Sequence, residues 1–430
     1  MKIIACEYND KSNSCYCYTN YIYFCGLLNK LQMKKIILLA VILSLGLVSC
    51  KHHDDPPLIS ETEHTLFMYM PWSGSGKSGL TPYFNRNLKD FETALNGNYD
   101  LLKNNKLVVF FSSSATEATM FEFKYEKGTV VRDTLKNYKN PAFTTVAGIT
   151  SIIDDVIYFA PAKCYSMIVS GHGEAWLPVT TGTKMLRGDY EKNYWEYEGV
   201  PMTRWFGGNV SDFQTEIKTL AKSIANNGIK MDYILFDNCY MSSIEVAYDL
   251  KEVTNYIIAS PTEIMDYGFP YHTVGQFLMG DFNLRSICEG FYNFYMNYTY
   301  PYGTIAVTVT AELDNLAAVM KYINQKFSFD PALLSEVQPM DGYVKVKYFD
   351  MGDYVYKLCP DADLLNLFNY YFERAVPPNL RRHTQNYYTV VERQGPIKIN
   401  TFSGVTISDP SINSETITTK TETAWYKATH

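Results

Sequence analysis

Two short runs in this chain are nearly free of charge, and each leads into a reactive side chain. Cys164-Tyr165-Ser166-Met167-Ile168-Val169 continues into Ser170-Gly171-His172-Gly173, and Asp232-Tyr233-Ile234-Leu235-Phe236 continues into Asp237-Asn238-Cys239. Apolar runs of this length suit strands covered on both faces, as in a parallel sheet between helix layers. In such sheets the chemistry lies just beyond the carboxyl ends of the strands. The pattern therefore predicts an imidazole and a thiol at one sheet edge, the raw material of a Cys-His nucleophilic enzyme.

The flanking chain supports that architecture. Strands are expected over 65–72, 106–114, 164–172, 232–239, 256–263 and 304–310, with a hairpin over 121–138 turning near Lys127-Gly128. Helical patterns fall between them, over 80–95, 145–159, 213–226 and 241–250. Strand and helix alternate across about 65–330, which favours a mostly parallel sheet covered on both faces. From about 345 the pieces become shorter and β-like, as in 387–391 and 401–407. No repeat or linker divides 64–430, so one elaborated domain is expected.

The N-terminal part reads as an address. Met33-Lys34-Lys35 is a basic start, and Ile36 to Val48 is an uninterrupted apolar stretch too short to span a bilayer comfortably. It closes on Leu47-Val48-Ser49-Cys50, which resembles a bacterial lipobox, with cleavage before Cys50 and acylation of its thiol. Residues 33–50 are then a lipoprotein signal, and 51–63 a polar, proline-stiffened tether. The acidic residues after Cys50 are similar to surface-export tethers of Bacteroides-type bacteria. The expected location is the cell envelope, with the lipid in the outer membrane and the protein facing the periplasm or the outside. Residues 1–32 fit nothing downstream, and Met33 is the expected initiator.

Stripping that leader leaves five of the nine cysteines: Cys50, Cys164, Cys239, Cys288 and Cys359. Four scattered thiols in a secreted domain are not a disulfide framework, so a thiol held at a strand end needs another reason. The formal charge of −7, with acids and bases interspersed, offers no basic stripe for nucleic acid. Trp72-Ser73-Gly74-Ser75-Gly76-Lys77-Ser78 imitates a phosphate loop, but Pro71 occupies the position of its first glycine.

A free thiol ionises near ~8.5 and attacks as the thiolate. Two features are expected to favour that form here. Cys239 would stand at the entrance of the 241–250 helix, whose dipole favours an anion, and His172 would take or share the proton. The backbone N–H groups of Gly173 and Cys239 are the natural oxyanion donors. The bland alternatives are a small buried hydrophobe and a satisfied polar ring.

Ser170-Gly171-His172-Gly173-Glu174-Ala175-Trp176 and Asp237-Asn238-Cys239-Tyr240-Met241, with Glu245 beyond them, resemble the clostripain family of cysteine peptidases, in the caspase-like group with gingipains and legumains. The two motifs stand 67 positions apart, counted from His172 to Cys239. The resemblance runs from about Thr65 through Phe269-Pro270-Tyr271, and more loosely to Phe402-Ser403-Gly404 and Trp425-Tyr426. Ala175 departs from it, since the family often has a second glycine there.

The resemblance implies a caspase-like α/β/α sandwich with a mostly parallel central sheet. His172 would be general base and acid, and Cys239 the nucleophile that forms an acyl-enzyme. Asp237 matches the acid that lines the S1 pocket and selects Arg or Lys at P1, with Asp266, or Glu263, as a second pocket acid. A loop-bracing carboxylate is the alternative for each. Relatives are often matured by cleavage after a basic residue between His and Cys, where Lys184, Arg187 and Lys192 lie, whereas Arg204 looks structural. Some relatives need calcium, for which Asp189, Glu191, Glu196 and Glu198 could supply oxygen ligands, though without EF-hand-like spacing. No cofactor is required otherwise. The expected partners are protein or peptide substrates and a membrane reached through the lipid, with the chain a monomer. Two rivals remain: a catalytically idle binding or adhesion lipoprotein on the same fold, and a related transpeptidase or peptidase of another P1 preference.

Overall fold

Nine strands hydrogen-bond into one sheet: β1 (Thr62–Met70), β2 (Asn105–Ser112), β3 (Glu117–Glu126), β4 (Thr129–Lys139), β5 (Ala162–Ser170), β6 (Met231–Asp237), β7 (Thr254–Ala259), β8 (Thr304–Val309) and β9 (Arg381–His383). Their order in space is β9-β8-β7-β6-β5-β1-β2-β3-β4. The five central strands, β7 through β2, are parallel. The strands outside them on both flanks pair antiparallel. The computed structural model describes residues 4–9, 14–19, 61–74, 79–179, 203–204 and 213–430. The chain divides into units of residues 1–58 and 59–430. Within the first, Ile4–Asn9 and Ser14–Thr19 form an antiparallel hairpin.

Alternation along β1 explains the layers. Leu66 and Met68 join one buried cluster with Phe84, Leu88 and Phe91 of α1 (Thr81–Gly97). Phe67 and Tyr69 join the other with Ile149, Ile152 and Val156 of α2 (Val146–Phe159). The second face also receives α3 (Ile217–Asn226), α4 (Ile244–Leu250) and α6 (Leu313–Lys326), whereas α5 (Leu284–Asn297) lies with α1. Both faces are therefore covered, and residues 59–430 form an α/β/α sandwich. Local chemistry sets the ends. Thr145 caps α2 by accepting from the Gly148 N–H at 3.1 Å, and the β3–β4 turn places Lys127 and Gly128 both at positive φ.

The expected strands and helices are present with shifted ends. The 256–263 strand is β7 and stops at Ala259, and the 213–226 helix starts at Ile217. The 241–250 helix starts only at Ile244. Between Cys239 and that helix, Tyr240 adopts φ +61° and Ser243 bridges to Thr406. Residues beyond β8 wrap back onto the sandwich. Phe349–Asp350 pairs with Thr406–Ile407, and Asn386–Thr389 with Gly395–Lys398. Trp425, fully buried, meets Tyr248 edge-to-face at 5.6 Å between ring centroids.

Candidate active site

β5 and β6 run parallel with Val169 beside Phe236 and Ser170 beside Asp237. Two residues further along each chain stand His172 and Cys239. Asn238 Nδ2 donates to the His172 carbonyl oxygen at 3.2 Å, which ties the two strand ends together. The backbones come close enough that a Cβ on Gly173 would lie 2.1 Å from the Cys239 carbonyl oxygen and 2.9 Å from its nitrogen. Only glycine permits that approach. The imidazole-bearing and thiol-bearing residues therefore share one sheet edge, and both are buried.

The sulfur has a donor that the sequence did not reveal. The backbone N–H of Ile264 donates to Cys239 Sγ at 3.2 Å. A hydrogen bond to the charged form favours the thiolate. Because the donor is a main-chain group 25 residues away, no residue type signals it. The helix-dipole expectation is corrected. Cys239 lies in an irregular turn, and α4, a helix of 7 residues beginning at Ile244, does not start at the sulfur.

Tyr240 turns that corner in the left-handed region, which is costly for a bulky side chain. Three contacts hold it there. Its N–H donates to the Thr262 oxygen at 3.0 Å, its hydroxyl to Glu263 Oε1 at 2.7 Å, and its ring lies 5.1 Å from that of Tyr348. Glu263 is buried and also accepts from Thr389 Oγ1 at 2.5 Å and the Val390 N–H at 3.1 Å.

The expected pocket acids lie near this wall. Asp237 is fully buried and accepts from the Phe269 N–H and the Tyr271 hydroxyl, each at 3.1 Å. Those bonds brace the 269–271 turn. Asp266, on the segment leading into that turn, is half-buried, and its backbone oxygen accepts from Arg86 Nη2 at 3.4 Å. The Arg86 guanidinium lies 4.2 Å from the centre of the Tyr267 ring. The strand pair Ile264–Met265 with Thr203–Arg204 adds a second backbone layer beside the sulfur.

The loop after His172 is gripped by the far end of the chain. Glu174 accepts from the Tyr343 hydroxyl at 2.7 Å and pairs with buried Lys347 at 3.6 Å. Trp176 Nε1 donates to Ser408 Oγ at 3.0 Å. Glu245 on α4 accepts from the Ser408 N–H at 2.8 Å, and burial pushes its carboxyl up to about 7. Cys50, Lys184, Arg187, Lys192, Asp189, Glu191, Glu196 and Glu198 lie outside the described residues. Among the described residues, no group of three or more His, Cys, Asp or Glu is placed to hold a metal ion.

The sequence profile of the clostripain family matches residues 80–359. The chain belongs to the clostripain family. It is a cysteine peptidase, and its mostly parallel sandwich is the fold of that family's solved members. A secreted C11 cysteine protease from Bacteroides thetaiotaomicron, iotapain, is 51% identical, with the match covering 86% of this chain and 100% of that one at a TM-score of 0.77. A clostripain from Bacteroides thetaiotaomicron in complex with the peptide inhibitor BTN-VLTK-AOMK is 56% identical, over 53% of this chain and 99% of that one, at a TM-score of 0.51. An inactive zymogen of a C11 protease from Parabacteroides distasonis is 26% identical, over 87% of this chain and 100% of that one, at 0.68. No curated protein matches the peptidase.

Proposed function

We propose that the peptidase is a lipid-anchored endopeptidase that cleaves peptide bonds after Arg or Lys through a Cys239–His172 dyad. One observation supports the dyad: the backbone of Gly173 lies against that of Cys239, so His172 and Cys239 stand on adjacent strand ends. His172 takes the thiol proton, and Sγ attacks the substrate carbonyl carbon. The developing oxyanion is met by the N–H groups of Gly173 and Cys239. His172 then returns the proton to the leaving amine, which departs and leaves a thioester. Water, deprotonated by the same ring, hydrolyses the thioester and restores the thiol.

Asp237 and Asp266 supply the negative charge for a basic P1 side chain. A cation entering a partly desolvated pocket needs such a partner. Asp266 is the more accessible of the two, and Asp237 both braces the 269–271 turn and adds charge beneath it. Support comes from the relative solved with the inhibitor BTN-VLTK-AOMK, whose peptide ends in Lys. The chain is cut after Lys184, Arg187 or Lys192 to mature, as the existence of a zymogen in a relative suggests. Residues 33–49 are removed and Cys50, the new N-terminus, carries the lipid, with 51–63 the tether and 64–430 the peptidase domain.

Arg- and Lys-P1 amide substrates test the reading. Cys239→Ala and His172→Ala should each abolish turnover, and retained activity in Cys239→Ala would exclude the mechanism. Asp266→Asn should weaken the preference for basic P1 residues in a peptide library. An unchanged profile in both Asp266→Asn and Asp237→Ala would remove the pocket assignment.

A further inference from the structure

Glu263 is a buried carboxylate that donors from two distant parts of the chain converge on. It is 4% exposed. Tyr240, the residue after Cys239, donates its hydroxyl at 2.7 Å. Thr389 Oγ1 and the Val390 N–H reach it from the C-terminal hairpin at 2.5 and 3.1 Å. Those two residues stand beyond 80–359, the stretch matched by the family profile.

The peptide unit that follows Glu263 is the one that meets the sulfur. Its carbonyl, Glu263 O, accepts from Thr262 Oγ1 at 3.2 Å. Its N–H, that of Ile264, donates to Cys239 Sγ at 3.2 Å. A hydrogen bond of this kind weakens steeply if the peptide plane rotates its N–H away from the acceptor. The side chain of Glu263 ties that plane to Tyr240 on one side and to the C-terminal hairpin on the other.

We infer that Glu263 is a positioning residue: it fixes the Ile264 N–H against Cys239 Sγ and so sets the reactivity of the thiol. This rests on Cys239 being the nucleophile. Its sign differs from that of a purely electrostatic role. A nearby negative charge disfavours a thiolate, so removing charge alone would ease ionisation of the thiol. Removing the anchor loosens the N–H donor and makes ionisation harder.

The pH dependence of alkylation by iodoacetamide distinguishes these on the full chain. A Cys164→Ser background removes the exposed thiol among the described residues. In Glu263→Ala the alkylation midpoint should move up by about one pH unit. kcat/KM for a Lys-P1 amide should fall about tenfold or more, mainly in kcat. Glu263→Gln, which keeps an acceptor for the Val390 N–H, should recover most of that loss. Thr389→Val keeps the carboxylate but removes one tie, and should shift the midpoint in the same upward direction by less. A midpoint that stays put or moves down in folded Glu263→Ala overturns the role. Should that variant not fold, Thr389→Val decides alone, and an unmoved midpoint there overturns it equally. In the Cys164→Ser background, a Cys239 that mass spectrometry finds unalkylated overturns the dyad itself, and this role with it.

Discussion

A methyl group on Gly173 would lie 2.1 Å from the Cys239 carbonyl oxygen, backbone against backbone. Neither side can yield without parting β5 from β6, so Gly173→Ala should cost about 1–3 kcal/mol of stability. It should also lower activity about a hundredfold, because misplacement near 1 Å has that effect on reacting groups. A denaturation curve and kcat/KM, measured together, check both; a fully active Gly173→Ala would show that the close approach is not needed. Ala175 makes the opposite case. It sits buried at φ +50°, where the Cβ strains the backbone by about 1–2 kcal/mol. Glycine would release that strain and lose about 0.4–1 kcal/mol through its freer unfolded chain. Ala175→Gly is therefore expected to be neutral or stabilising by up to about 1.6 kcal/mol in chemical denaturation, and clear destabilisation would refute the strain. His172 and Cys239 were legible in the sequence because each terminates an apolar run. The Ile264 N–H was not, since every residue carries such a group and only the folded turn aims this one.

Among the elements, α4 connects site and tail through a buried acid. Glu245 accepts from the Ser408 N–H at 2.8 Å and the Ser243 hydroxyl at 2.5 Å. Burial pushes its carboxyl from the ordinary 4.5 up to about 7, and buried Asp409 adds repulsion. The folded state thus holds a proton that the unfolded chain releases at lower pH. Its stabilising contribution is full below about 4.5 and is lost as pH rises through about 7. Asp341, also pushed to about 7 by burial, acts in the same direction. Glu245→Gln should keep the bond from the Ser408 N–H at its amide oxygen, with its NH2 group donating to Ser243 Oγ in place of accepting. It should remove this share of the decline, leaving those of Asp341 and of other carboxyls raised by burial such as Asp350. Denaturation midpoints at pH 5 and pH 8 measure it, and a variant that loses as much stability between them as the parent would exclude Glu245 as the source. Strand and helix order was legible across 65–330 because periodicity is local. The late start of α4 was not, because Ser243 and Ser242 are held by Thr406 and Gly404, more than 160 positions away. Pattern reading likewise did not show that β8 pairs antiparallel to β7, since a strand's apolar sequence carries no direction.

Over the whole molecule, two boundaries carry different weight. The proposed anchor predicts that Cys50→Ala moves the protein from the membrane pellet to the soluble fraction with unchanged kinetics, and continued pelleting would exclude lipidation there. The other boundary is residue 359, where the family profile ends. Beyond it lie Val405, Ile407 and Trp425, all buried in the core cluster shared with α2, α4 and α6. Beyond it, too, lie Thr389, Val390 and Ser408, which hold Glu263, Trp176 and Glu245. Losing one buried Trp or Phe side chain costs about 3–5 kcal/mol, against a total of about 5–15 kcal/mol for an ordinary domain. A chain ended at Cys359 should therefore fail to fold, although it retains His172, Cys239 and the whole matched family segment. Trp425→Ala in the full chain is the milder version and should lower stability by about 3–5 kcal/mol while keeping some activity. Circular dichroism and alkylation of Cys239 read both variants. A soluble 59–359 fragment alkylated at the parent's rate would show that the tail decorates the sandwich; its absence would show that the catalytic edge is held in shape from the far end of the chain.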